Sequence, residues 1–160
     1  MWRTRIFLLL GLLTLTLAAS AQGNKNELFR KEAPVLQRAA DQAISEVQGI
    51  SLLQTAKATY LEEFGIVISL EVALEPPRNP FEAPNQGRSG VADRQRQVRD
   101  KMKAFLTQKA AGIQSADGTQ FVTVVVHLFN SNPVDSPNLP RQIILMVKKQ
   151  EPSNVTIREQ

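Results

Sequence analysis

Phe64-Gly65-Ile66-Val67-Ile68-Ser69-Leu70-Glu71-Val72-Ala73-Leu74-Glu75 keeps one rhythm for its whole length. Ile66, Ile68, Leu70, Val72 and Leu74 alternate with Val67, Ser69, Glu71, Ala73 and Glu75. A period of two places the first set on one face of a strand and the second on the other. Residues 64–75 therefore predict a strand with one buried face. Working back, Leu61-Glu62-Glu63 is a short link, and residues 50–60 predict the other arm of a hairpin. Working forward, Phe121 to Phe129 carries Val and Thr in unbroken succession, which predicts a strand over 120–129. A final strand is expected over 142–149.

Two stretches have the helical period instead. From Glu27 to Gln48, the residues Leu28, Val35, Leu36, Ala39, Ala43, Ile44 and Val47 recur at three- and four-residue spacings. Pro34 fits the first turn of a helix better than its interior, so Glu27–Glu32 reads as a separate turn and Gly49 as the stop. Val91, Val98, Met102, Phe105 and Leu106 make the stripe of a second helix over 91–111, with Gly112 expected to end it. Residues 76–90 hold Pro76, Pro77, Pro80, Pro84, Gly87 and Gly90 and read as a long loop. Asn130 to Pro140 reads as a second loop.

The resulting order is αββαββ. It predicts an α+β two-layer sandwich in which two helices cover one face of a four-stranded, mainly antiparallel sheet. Residues 22–150 form the single domain in this reading, and the polar stretch 151–160 a flexible tail.

Residues 1–21 carry an export signal. Arg3 and Arg5 precede an apolar run from Ile6 to Leu17, and Ala19-Ser20-Ala21 gives the small residues a signal peptidase accepts. Cleavage would fall between Ala21 and Gln22; an uncleaved N-terminal anchor is the alternative. The run is shorter than the about 20 apolar residues of a spanning helix, so no stable membrane span is expected after cleavage. The chain is then periplasmic or extracellular. It has no Cys, which excludes disulfides, thiolate catalysis, thiolate metal sites and a lipoprotein anchor. The precursor has 19 basic and 15 acidic residues. Losing Arg3 and Arg5 nearly balances them, which gives no electrostatic case for nucleic acid.

Tyr60-Leu61-Glu62-Glu63-Phe64-Gly65-Ile66-Val67 resembles a segment of uncharacterised exported bacterial proteins, notably from Acidobacteria. Their pattern is tyrosine, leucine, two variable residues, an aromatic, glycine and a hydrophobic strand. The resemblance covers the hairpin and, loosely, the helix before it. It implies an exported bacterial protein and brings no activity. In physical terms, Gly65 is suited to a positive φ or a close backbone approach. Tyr60 and Phe64 are suited to pack on either side of the turn.

Residues with chemical potential are scattered. His127, the single histidine, shares a strand face with Thr123 and Val125, and no orienting acid is specified for it. Glu62-Glu63 at a hairpin tip lacks the patterned loop of a calcium site. Arg94, Arg96, Arg99, Lys101, Lys103 and Lys109 spread around the second helix, as on a solvated face. Asn79-Pro80-Phe81 puts an aromatic in the first loop. Nucleotide-binding, serine-hydrolase and zinc-protease motifs are absent, and no cofactor, metal or catalytic set is expected.

The sharper signal is apolar. Val122, Val124, Val126 and Leu128 suffice for the core side of their strand, yet Phe121, Val125 and Phe129 remain on the other. The last strand likewise sets Ile143, Leu145 and Val147 against Ile144 and Met146. This second face predicts a meeting with a protein, an envelope component or a second copy, unless the Pro-rich loop or the N-terminal segment folds over it. The leading functional expectation is a non-enzymatic exported binding domain. The alternative is a small hydrolase-like enzyme using His127 and scattered carboxylates. The export signal has a direct check: intact-mass measurement of exported protein should show loss of residues 1–21 and an N-terminus at Gln22, allowing for pyroglutamate. Retention of Met1 on the exported form would refute it.

Overall fold

The computed structural model describes residues 3–74, 90–129 and 139–160, with side chains from residue 24 onward. The expected loop over 76–90 lies outside the described residues except for Gly90, which opens a helix, and so does most of the one over 130–140. The elements are α1 (Arg3–Ser45), β1 (Ser51–Leu61), β2 (Gly65–Ala73), α2 (Gly90–Lys109), β3 (Phe121–Phe129), β4 (Gln142–Lys148) and β5 (Thr156–Glu159). The chain is thus α+β, and both helices share one core with one face of the sheet. Leu36, Ala40 and Ile44 from α1, with Val47 in the turn after it, meet Val98, Met102 and Leu106 from α2 over Ile66, Ile68, Val124, Val126 and Leu145.

The sheet departs from expectation in two ways. It has five strands in the order β1-β2-β3-β4-β5, and its central pair, β2 with β3, is parallel. The other three pairs are antiparallel. The parallel pair follows from the length of α2. Its 20 residues rise about 30 Å, the span of a nine-residue strand, so the chain is carried back to the end where β2 began. β3 then has to run the same way. The fifth strand comes from the polar stretch where no strand was expected. Val155-Thr156-Ile157-Arg158 alternates over too few residues to stand out, but Ile157 packs on the core beside Leu145. Glu159 is further tied to α2 by Arg99 at 3.6 Å and by Gln95 at 3.5 Å.

Three local details also differ. Pro34 lies inside a continuous α1 and does not break it. Pro34 and Arg30 are both exposed, so the carbonyl that loses its helical donor faces water. Val35, expected on the buried stripe, is 58% exposed; Leu36 and Ala40 take that side. Gly112 does not cap α2 in the left-handed region. A 3₁₀ turn over Ala110–Gly112 ends the helix instead.

Gly49 and Gly65 are the described residues with positive φ, at 73° and 123°. At Gly65 the backbone also makes its closest approach. A Cβ there would stand 2.1 Å from the Phe121 carbonyl oxygen, in the corner where the Phe121 N–H donates to the Phe64 carbonyl at 2.8 Å. Both uses foreseen for this glycine are therefore realised. Arg94 makes a second fixed point. Its Nε donates to the Leu74 carbonyl at the end of β2. Its side chain crosses Gly49 and Gly90, where a Cβ would come within 3.2 and 2.5 Å of it. Gly65→Ala should therefore cost about 3 kcal/mol, from strain and from prising β2 off β3. Gly112→Ala meets no atom within 4 Å and has no positive φ, so it should be neutral or stabilise by up to about 1 kcal/mol. Urea midpoints of the two variants, at unchanged slope, check the contrast.

Candidate functional site

Strand register fixes which side chains stand together on the face turned away from the helices. Across the sheet, Thr59, Val67, Thr123, Met146 and Thr156 form one row. Lys57, Ser69, Val125, Ile144 and Arg158 form the next. Then come Gln54, Glu71, His127 and Gln142. Beyond them lie Ala73 and Phe129, and at the opposite end Leu61, Gly65, Phe121 and Lys148. The core side of the same strands is closed: Val122, Val124, Val126, Ile143, Leu145 and Val147 are buried.

The residues expected at an interface do share this second face. Phe121, Val125, Ile144 and Met146 are half-buried, and Phe129 is 48% exposed. No described helix lies over them. Side chains in adjacent strands of the sheet stand about 5 Å apart and shield one another. Phe121 also leans on Phe64, ring centroids 5.5 Å apart. The face thus gathers apolar side chains on β3 and β4, with Val67 of β2, while Ser69, Glu71, His127, Gln142 and Lys148 stand on the same strands.

Thr123 sits in the middle of that apolar area, only 4% exposed. Its Oγ1 is a buried side-chain oxygen with no hydrogen-bond partner. An unsatisfied buried hydroxyl costs about 1–3 kcal/mol.

His127 is neighboured by Glu71 across the parallel pair, but no hydrogen bond joins them. Among the described residues no group of three or more His, Asp or Glu is placed to hold a metal. Nor is any helix among them long and apolar enough to cross a membrane. Glu62 and Glu63 are exposed at the hairpin tip, where the Phe64 N–H closes the turn onto Leu61 at 3.1 Å. On α2 the basic residues are partly paired: Arg96 with Asp93 at 3.4 Å, Arg99 with Asp100 at 3.1 Å, Lys101 with Glu46 at 2.6 Å. Asn79, Pro80 and Phe81 lie outside the described residues. The cleavage-site residues Ala19, Ala21 and Gln22 fall within α1, in the part whose side chains are not described.

Sequence reasoning missed a polar knot at the end of the sheet where β2 and β3 begin. Gln120 is buried. Its amide nitrogen donates to the Tyr60 hydroxyl at 3.3 Å and to the Glu62 carbonyl, and its oxygen accepts from the Asp117 N–H at 2.8 Å. Glu32 of α1 accepts from the Gln114 and Ser115 N–H groups at 2.7 and 3.0 Å and from the Ser115 hydroxyl at 2.6 Å. Lys25 pairs with Asp117, whose hydrogen bond raises the lysine pKa above its ordinary value. Lys149 donates to the Ala116 carbonyl at 2.6 Å. These contacts join residues as many as 92 positions apart, with no short motif to betray them. They satisfy one another and leave no free reactive group pointing at a common centre. Nearby, a broad cleft of about 430 Å³ opens between Asn26, Phe29 and Arg30 of α1 and Ala58, Thr59 and Tyr60 of β1. Phe29 and Tyr60 contact there, centroids 5.9 Å apart.

Compared with protein families, curated proteins and solved structures, the chain matches none. The open face therefore has to be judged on its own chemistry. Thr123→Val should remove the orphaned hydroxyl at little cost in shape and raise stability by about 1 kcal/mol. A fall in the urea midpoint would mean that the hydroxyl has a partner.

Proposed function

We propose that this chain is an exported, non-enzymatic domain that holds a protein or cell-envelope partner on the open face of its sheet. One observation carries the reading. The helices cover only one side of the sheet, and the other side presents Phe121, Val125, Phe129, Ile144 and Met146 together. Burying one such side chain is worth about 1.5–3 kcal/mol, so several in one patch supply a driving force for association. Strands are also a stiff base, which limits the entropy lost when a partner settles on them. The export signal over residues 1–21 supplies the compartment.

Val125 stands at the centre of the face, on the central strand of the five. Val125→Lys should leave the fold intact, with a stability change below about 1 kcal/mol, because the new ammonium reaches water. The same variant should lose whatever the wild-type chain recovers from the cell envelope, or lose self-association. A variant that unfolds would show the face to be internal, since a buried unpaired charge costs several kcal/mol. Circular dichroism and a pull-down on the same preparation separate the two results.

A further inference from the structure

We infer that the occupant of the open face is an amphipathic helix with acidic residues along both flanks, an inference that rests on the open-face reading above. The row through Val125 carries the argument. It runs Lys57, Ser69, Val125, Ile144, Arg158, from one edge strand to the other. Four strand spacings separate its ends, about 19 Å. The two cations are exposed, and neither takes part in an ion pair among the described residues. Between them the side chains are small or apolar.

A helix with its side chains is about 10–12 Å across. Laid along β3, it covers the three central strands, and its flanks come down beside β1 and β5. Carboxylates on both flanks then meet Lys57 on one side and Arg158 on the other. Helices already cover the opposite face, so such an occupant completes a three-layer α/β/α packing. Glu71, the acid of this face, stands in the next row beside His127. Where the helix passes over it, a polar side chain has to face it, since a carboxylate is not buried unpaired.

The same row disfavours a second copy of the chain. Two identical faces meet about a two-fold axis lying between them. Centred on Val125, an axis along the strands sets Lys57 over Arg158. An axis across them sets Lys57 over Lys57 and Arg158 over Arg158. Like charges meet either way, which acidic flanks avoid.

Two synthetic helical peptides of about 18 residues test this, enough for five turns along β3. Both carry one Leu/Ala stripe; one has Glu on both flanks and the other Lys. Each is titrated calorimetrically at low salt into the purified full chain, and backbone amide shifts map the contact. The Glu-flanked peptide should bind about ten-fold more tightly, from two partly desolvated charge pairs. Its shifts should centre on Val67, Val125 and Met146. The double variant Lys57→Glu/Arg158→Glu, checked for wild-type amide dispersion, should reverse the preference. Lys103→Glu/Lys109→Glu, on α2, should leave it unchanged. Equal affinity, no binding, or shifts centred elsewhere overturns the inference. So does self-association through this face, or shielding of it by phosphatidylglycerol vesicles in place of the peptide. Failure of the broader reading looks different. If neither peptide binds but Val125→Lys stays folded and loses its envelope partner, the face remains an interface and only the helix is wrong. If Val125→Lys unfolds, the open face itself is lost.

Discussion

Where β2 and β3 begin side by side, a Cβ on residue 65 would stand 2.1 Å from the carbonyl oxygen of Phe121, and only glycine lets the strands close there. That contact sets the register of the central parallel pair. The Phe121 N–H reaches the Phe64 carbonyl at this end, and the Leu74 N–H reaches the Phe129 carbonyl at 2.9 Å at the other. Between those two bonds the pairing runs without a bulge from Gly65 with Phe121 to Ala73 with Phe129. One unbroken register keeps Ile66, Ile68, Leu70 and Val72 level with Val122, Val124, Val126 and Leu128. A slip of one residue would turn one of these sets out of the core.

The helices depend on this pair in turn. α2 is the crossover that makes it parallel, and its stripe of Val98, Met102 and Leu106 is buried on the face that the register aligns. Arg94 locks the start of that helix to the end of β2 through the Leu74 carbonyl, using the room left by Gly49 and Gly90. α1 is held by apolar contacts and by carboxylates aimed at backbone. Glu32 takes the Gln114 and Ser115 N–H groups, and Asp41 takes the Ala56 N–H of edge strand β1 at 2.7 Å. Asp41 thereby occupies part of the hydrogen-bonding edge of β1. The register shifts between Leu52 and Lys57 make the same edge irregular, so strand addition there is disfavoured.

The open face follows from a limit of two-layer folds. Both helices lie on one side, and among the described residues no helix covers the other. Here β3 and β4 have apolar side chains on both faces, while β2 adds Ser69 and Glu71 to the second face and the outer strands carry Lys57, Thr59, Thr156 and Arg158.

The sequence by itself determined the elements and the sides on which their residues fall. Alternation along Ile66 to Leu74 and the Val-rich run to Phe129 placed the main strands. The helical spacing of Val91 to Leu106 placed α2, because apolar periodicity is a local property that burial must respect. The second apolar face was legible for the same reason: Phe121, Val125 and Phe129 cannot join Val122 and Val124 on one side of a strand. Tertiary structure alone decided how the strands are ordered. The parallel central pair depends on the length and path of α2, and β5 depends on a short segment finding the edge of β4; neither is written in any local period. It also decided the polar knot at Gln120, Glu32 and Lys25, whose partners are far apart in the chain. The row joining Lys57 to Arg158 exists only once five strands are in register, so its two charges had no meaning as a pair until the sheet was assembled.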